Sequence, residues 1–305
     1  MKIALFFLIM LIFFLMFGCQ EDHSMKKKYL EVKPVQTLDL SKYPDSPPEK
    51  TLNLLFIHHS CGGSWLADKG PVDCQKCICR SHPNGGGLRS LLEKNNYEVH
   101  EASYKSIIGN NTDIQDWPPK FKNQMDRILR TKIQDDLLPK GQKNQIIMFK
   151  SCFPNNYFPD DASVRQAMDA YDELLPIFEK YPNTLFIAVT APPLVPPYET
   201  KNFLKAFAKK LLGRYRDVPA IGRRARYFNN WLKDIKSGWL SNYPLKNVVV
   251  FDYYDILTKE GKSNWAEYPT KNGRNSHPNS EGNSIATKRF IPFLNRAIHF
   301  AGIIK

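Results

Sequence analysis

A serine becomes a useful nucleophile only when a neighbouring base takes its proton, because its own hydroxyl is almost un-ionised at neutral pH. Two distant segments of this sequence offer such a pair. His58-His59-Ser60-Cys61-Gly62-Gly63 follows the first apolar run, where a sharp strand-to-helix turn would expose the Ser60 hydroxyl. The glycines let the backbone bend and leave amides free for a developing oxyanion. Asn275-Ser276-His277-Pro278-Asn279, then Gly282, precedes the last helical pattern. A loop histidine there can reach across to the first strand's end, with Pro278 stiffening its approach. Lys150-Ser151-Cys152-Phe153-Pro154-Asn155-Asn156 follows another apolar run, and a side-chain amide from Asn155 or Asn156 could donate to the oxyanion position. Gly109, in Ser106-Ile107-Ile108-Gly109-Asn110, adds a candidate backbone amide. Taken singly, each is better explained as an ordinary turn or loop residue.

The elements that must position these residues are legible in the hydrophobic pattern. Residues 52–57 read as a short strand, followed by a helix start at 87–93 and a second strand at 97–100. Buried strands follow at 145–149 and 184–189, and 247–251 contains three valines in succession. Val164, Met168, Tyr171, Leu174, Leu175 and Phe178 recur at helical spacing, residues 225–235 repeat the pattern, and 285–298 closes the chain. Apolar strands separated by helices predict a parallel sheet of about five strands covered on both sides, a three-layer α/β/α domain. In such sheets ligands bind beyond the carboxyl ends of the strands, where all these motifs stand. Residues 64–86, rich in Gly and Cys, read as an insertion, with no internal repeat and no second domain.

Serine-glycine after strand one, glycine after strand two, asparagine after strand three and His-Pro before the last helix occur in the order of the SGNH (GDSL-like) hydrolase blocks. From about residue 52 to 300 the chain resembles that superfamily, whose fold is flavodoxin-like. It looks closest to a branch whose first block reads His-His-Ser-x-Gly. The Lys150-Ser151-Cys152-Phe153-Pro154 run, Ala191-Pro192-Pro193-Leu194 and Ala225-Arg226-x-Phe228-Asn229-x-Trp231-Leu232 resemble that branch too. The resemblance implies ester hydrolysis without a cofactor, with Ser60 as nucleophile and His277 as general base. It implies an oxyanion hole of the Ser60 and Gly109 amides plus Asn155, with Asn156 competing because the third block is altered. The family places an aspartate three residues before the histidine; Arg274 stands there. Asp252 or Asp255 could supply the carboxylate, a backbone carbonyl could orient His277, or the site could have become a glycan-binding module.

Cys74-x-x-Cys77-x-Cys79 with His82 has spacing that could hold zinc, and a metal or redox role is the rival it suggests. Export favours disulfides instead. Cys61 and Cys152 follow strands that are neighbours in the order the resemblance implies, so they could pair with each other. His58 and His59 read as packing or hydrogen-bonding residues rather than ligands. Trp65, Trp117, Tyr157 and Phe158 lie near the motif loops and could pack against a sugar or acyl chain, or belong to the core.

The N-terminus gives the address. Met1-Lys2, an uncharged apolar stretch at 3–17, then Gly18-Cys19 and a polar run resemble an export signal of lipoprotein type, with Cys19 lipidated. Residues 20–50 read as a flexible tether, which puts the domain at 51–305, outside the cytoplasm. The formal net charge is +13, part of it from Lys205, Lys209, Lys210, Arg214, Arg216, Arg223, Arg224 and Arg226, read as a solvated basic face. An exported basic protein meets anionic headgroups or acidic polymers first, and no nucleic-acid motif is present. The expected partners are an ester of a polysaccharide, a lipid or a small molecule, and the membrane that holds the anchor.

Overall fold

The computed structural model describes residues 35–196 and 217–304. Their order is β1 (Leu52–Ile57), α1 (Ser60–Leu66), β2 (Asp68–Lys69), β3 (Asp73–Gln75), β4 (Ile78–His82), α2 (Leu88–Lys94) and β5 (Tyr97–Ala102). Next come α3 (Trp117–Arg130), β6 (Thr131–Ile133), β7 (Asp136–Leu137), β8 (Ile146–Lys150), α4 (Asp161–Asp172), α5 (Leu175–Phe178) and β9 (Leu185–Val189). The described chain ends with α6 (Val218–Lys233), β10 (Val248–Phe251), α7 (Tyr253–Leu257), β11 (Pro269–Thr270), β12 (Asn275–Pro278) and α8 (Ser280–Phe300).

The main sheet runs β10-β9-β8-β1-β5-β6-β7. The five predicted strands run parallel, and two short strands that the sequence did not announce extend one edge, β6 parallel and β7 antiparallel. Strand residues alternate between two buried layers, as a pleated backbone requires. Leu54, Phe56, Met148, Ile187 and Phe251 share one core with Trp65, Leu92, Phe290 and Leu294, so α1, α2 and α8 cover that face. Phe149 and Phe186 point the other way, into Trp117, Phe121 and Phe178 at ring-centroid distances of 4.0–6.1 Å, beneath α3 and α5. The architecture is therefore three-layer α/β/α.

Several boundaries differ from the expectation. The single apolar face at 164–178 is two helices, because Pro176 opens a second one. The Cys-rich insertion is a small sheet of order β2-β4-β3. Residues 36–48, expected in the tether, lie on the body: Leu40 is buried, Tyr43 packs edge-on against Phe300 at 5.5 Å, and Asp45 pairs with Arg296 at 3.0 Å. Cys19, the apolar stretch at 3–17, and Lys205, Lys209, Lys210, Arg214 and Arg216 lie outside the described residues. Two of the remaining basic residues do not form a free face, since Arg224 pairs with Asp161 at 2.6 Å and Arg226 with Asp255 at 2.5 Å. No helix among the described residues is long and apolar enough to cross a membrane.

Candidate active site

Ser60 is the first residue of α1, directly past β1, and His277 sits in β12. The Ser60 Oγ and His277 Nε2 are 2.9 Å apart, across 217 residues of sequence. His277 was expected in a loop; it stands on a short strand instead, which fixes its ring more firmly than a loop would. Burial, the largest influence, holds the half-buried imidazole below the usual histidine range, so it is neutral and ready to accept a proton near pH 7.

The second ring nitrogen is held by a residue that sequence reading did not single out. Asn275 Oδ1 lies 2.6 Å from His277 Nδ1 and also accepts the His277 backbone N–H at 3.0 Å. This fixes Nδ1 as the protonated nitrogen and leaves Nε2 free for Ser60. Two residues apart on one strand, the side chains of Asn275 and His277 share a face. The signal was thus present in Asn-x-His once the segment is read as strand. Phe153 packs edge-on against the imidazole at 4.9 Å. Arg274 is exposed.

Asp252 and Asp255 do not take the carboxylate's place. Asp252 Oδ2 pairs with Lys233 Nζ at 2.5 Å, while its Oδ1 accepts the Asp255 backbone N–H at 2.9 Å and caps α7. Asp255 is engaged by Arg226 at 2.5 Å and Lys233 at 3.3 Å. Both carboxylates tie α6 to α7, a structural duty.

The expected oxyanion donors are also redistributed. The Gly109 amide donates to Ser106 Oγ at 2.9 Å, and its carbonyl accepts from His59 Nε2 at 2.8 Å. Asn155 donates one amide N–H to Asp113 Oδ1 and accepts the Ile114 N–H, both at 2.8 Å. Buried Asn156 donates to the Ala191 and Pro192 carbonyls at 2.8 and 2.9 Å and accepts from Asn229 at 2.7 Å. These residues brace the loops around the site. Gly62 and Gly63 do not leave their amides free either, since both donate to His59 O in the first turn of α1. They are glycines because of crowding: a Cβ on Gly62 would sit 2.4 Å from His58 Cβ, and one on Gly63 would sit 2.1 Å from the Cys77 carbonyl oxygen. A donor left near Ser60 is its own first-turn amide, which the helix does not use. Tyr104, two residues past β5 and not singled out by sequence reading, stacks its ring on His59 at 3.7 Å.

His58 lies under this turn, wholly buried, with Nδ1 donating to His59 O at 2.9 Å. Burial pushes it down to about 3, so it is neutral packing, as expected of it. Trp65 and Trp117 are core residues, Trp65 stacked on Tyr253 at 4.6 Å, and Phe158 is buried against Phe228 at 5.2 Å. Tyr157 is half-buried beside it.

Cys74 and Cys79 form a disulfide across the β3–β4 hairpin, which takes two of the residues a zinc site would need. Cys61, Cys77 and Cys152 are free thiols, so the expected Cys61–Cys152 bond is absent, although the two residues adjoin. Among the described residues no three His, Cys, Asp or Glu side chains gather as a metal site.

Ser60 and His277 open into a cleft of about 690 Å³ whose walls are the Cys-rich hairpin and the β11–β12 hairpin. Both tips hold left-handed residues, Lys76 and Cys77 on one and Lys271, Asn272 and Gly273 on the other. Asn84, Thr270, Lys271, Asn272 and Asn279 line it together with Val72, Pro269 and Pro278, and it contains no Asp or Glu.

No family model matches this chain, and no curated protein is similar to it. Solved structures match it at low similarity. A Bacteroides fragilis protein with a provisional acylhydrolase assignment has 13% identity and a TM-score of 0.41, covering 84% of this chain and 93% of its own. A family two carbohydrate esterase with a carbohydrate-binding domain from Corynascus thermopiles (Myceliophthora fergusii) has 12% identity and a TM-score of 0.40, over 83% and 68%. A family two carbohydrate esterase from Clostridium thermocellum, in complex with cellohexaose, has 14% identity and a TM-score of 0.39, over 83% and 66%. At such values the chemistry of this chain rests on its own residues.

Proposed function

We propose that this chain is an exported serine esterase of the SGNH acyl-hydrolase kind. The observation that carries the proposal is the Ser60–His277–Asn275 relay, with contacts of 2.9 and 2.6 Å, at the mouth of an open cleft. His277 removes the Ser60 proton as Oγ attacks the ester carbonyl, forming a tetrahedral intermediate. The first-turn Ser60 amide, unused by the helix, is a donor available to its oxyanion. His277 then gives its proton to the leaving alcohol, and water releases the acid by the reverse sequence.

The lining supports a class of substrate. A long acyl chain calls for a deep apolar channel, whereas this cleft is open and sets Asn, Ser, Thr and His side chains beside Val72 and two prolines. Short acyl groups, acetyl first, on a hydroxyl-rich polysaccharide fit such a surface. The basic start, the apolar stretch and Gly18-Cys19 support tethering by a lipid on Cys19, outside the cytoplasm.

The test is hydrolysis of p-nitrophenyl acetate and of acetylated polysaccharide by the full chain in detergent, beside Ser60→Ala and His277→Ala. Both variants should lose about 10³-fold or more in kcat. Sugar binding with no turnover, unchanged by Ser60→Ala, would replace the enzyme by a binding module.

A further inference from the structure

The cleft beside Ser60 is lined by a lysine and by no carboxylate. Lys271 stands at the exposed tip of the β11–β12 hairpin, and no acidic side chain pairs with it among the described residues. Arg274, on the same turn, is exposed and likewise without a carboxylate partner there. Other cations of this chain do find acids: Lys259 pairs with Glu267 at 3.1 Å, Arg224 with Asp161 at 2.6 Å and Lys233 with Asp252 at 2.5 Å. The opposite wall supplies no counter-charge either. Of the acids in the Cys-rich insertion, Asp68 accepts from Ser90 at 2.8 Å, and Asp73 lies in the groove behind the hairpin, which Lys76 and Arg80 also line. Burial holds His82 below the usual histidine range, so the standing charge of the lining at neutral pH is that of Lys271.

We propose that the cleft takes an acidic polysaccharide, a carboxylate or phosphate of the chain resting against Lys271 while the acyl ester of a neighbouring sugar meets Ser60. The neutral part of the lining suits the sugar, because the amides of Asn84 and Asn272 can both donate to and accept from hydroxyls. Lysine is a compact point charge on a flexible stem, which suits an anion whose position varies along a polymer. A cleft with one sign of charge also gathers ligands of the other sign before contact. Lys271 is a specificity residue here; it takes no part in the bond changes at Ser60.

The substrate half of this proposal rests on the esterase reading; the binding half does not, and is measured with Ser60→Ala in the full chain in neutral detergent, so that no turnover intervenes. Fluorescence anisotropy compares a labelled oligogalacturonate, a phosphorylated maltooligosaccharide and the same maltooligosaccharide without phosphate. The anionic chains should bind about tenfold or more tightly than the neutral one at low salt. That advantage should vanish towards about 1 M salt, where the screening length falls to about 3 Å. The tighter of the two anionic chains identifies the group. Adding Lys271→Gln should weaken anionic binding about two- to fivefold, and Lys271→Glu should weaken it further. Lys180→Gln, exposed ahead of β9 at the end of the sheet away from Ser60, should leave it unchanged. Equal affinity for neutral and anionic chains would overturn the proposal. Equal losses in the Lys271→Gln and Lys180→Gln variants would overturn it too, reducing the effect to the net charge of +13.

On the active chain, acetylated oligogalacturonate should have a KM about tenfold below that of the acetylated neutral chain, an advantage that Lys271→Glu removes. Turnover of p-nitrophenyl acetate without that preference would leave the esterase reading and remove this one. Anion-selective binding without any turnover would remove the esterase reading and leave an acidic-glycan binding site.

Discussion

Replacement of Asn275 tests the relay most directly, because it touches neither reacting atom. Its Oδ1 accepts from His277 Nδ1 at 2.6 Å and from the His277 backbone at 3.0 Å. In the transition state the Nδ1 donor belongs to an imidazolium, and a hydrogen bond to a charged group contributes about 1.5–3 kcal/mol. Asn275→Ala should therefore lower kcat roughly 10- to 150-fold at little cost in KM. Asn275→Asp puts a carboxylate against the same nitrogen and should raise the His277 pKa by about 1–3 units. Catalysis needs the neutral ring, and burial holds the wild-type ring below the usual histidine range. The acid limb of the aspartate variant must then lie at higher pH, making it slower than wild type in acid. Above neutrality its stronger base should make it faster, so the two profiles cross. Initial rates on p-nitrophenyl acetate between about pH 5 and 9, across the histidine range, read both effects. An Asn275→Ala variant with wild-type kcat and an unmoved limb would refute this account of how His277 is held. Arg274→Asp, at an exposed position, should leave the profile alone.

Asp252→Asn should keep the esterase rate within about twofold while lowering stability by roughly 1–3 kcal/mol, because Lys233 loses its nearer carboxylate; thermal unfolding and kcat measured together check this. Gly63→Ala drives a Cβ into the Cys77 carbonyl, so it should displace the Cys-rich hairpin and raise KM well before it unfolds the domain; kinetics beside circular dichroism separate the two. Glu101, buried against Arg89, is pushed up to about 7 by burial, so the folded chain holds its proton more tightly than the unfolded one. Stability should fall by about 3 kcal/mol as pH rises from the unfolded value near 4.5 through 7, and denaturant titrations of Glu101→Gln at pH 5 and 8 should show that dependence flattened.

The pattern of what the sequence disclosed has a physical cause. Most of the parallel strands were legible because a strand buried on both faces is largely apolar and short, as Leu54-Leu55-Phe56-Ile57 is. Ser60 and His277 were legible because nucleophile turns and His-Pro segments are local in sequence, and the chain order of the blocks gave their meeting. The edge strands β6 and β7 were hidden, since two or three residues carry no period. What failed was the assignment of free donors and acceptors. Asn155, Asn156, Gly109, Asp252 and Asp255 have the right chemistry at the right strand ends, yet every one of them is occupied in bracing a loop or a helix. A side chain's type states what it can bond, whereas its availability depends on partners brought in from elsewhere, such as Asn229 for Asn156 or Lys233 for Asp252.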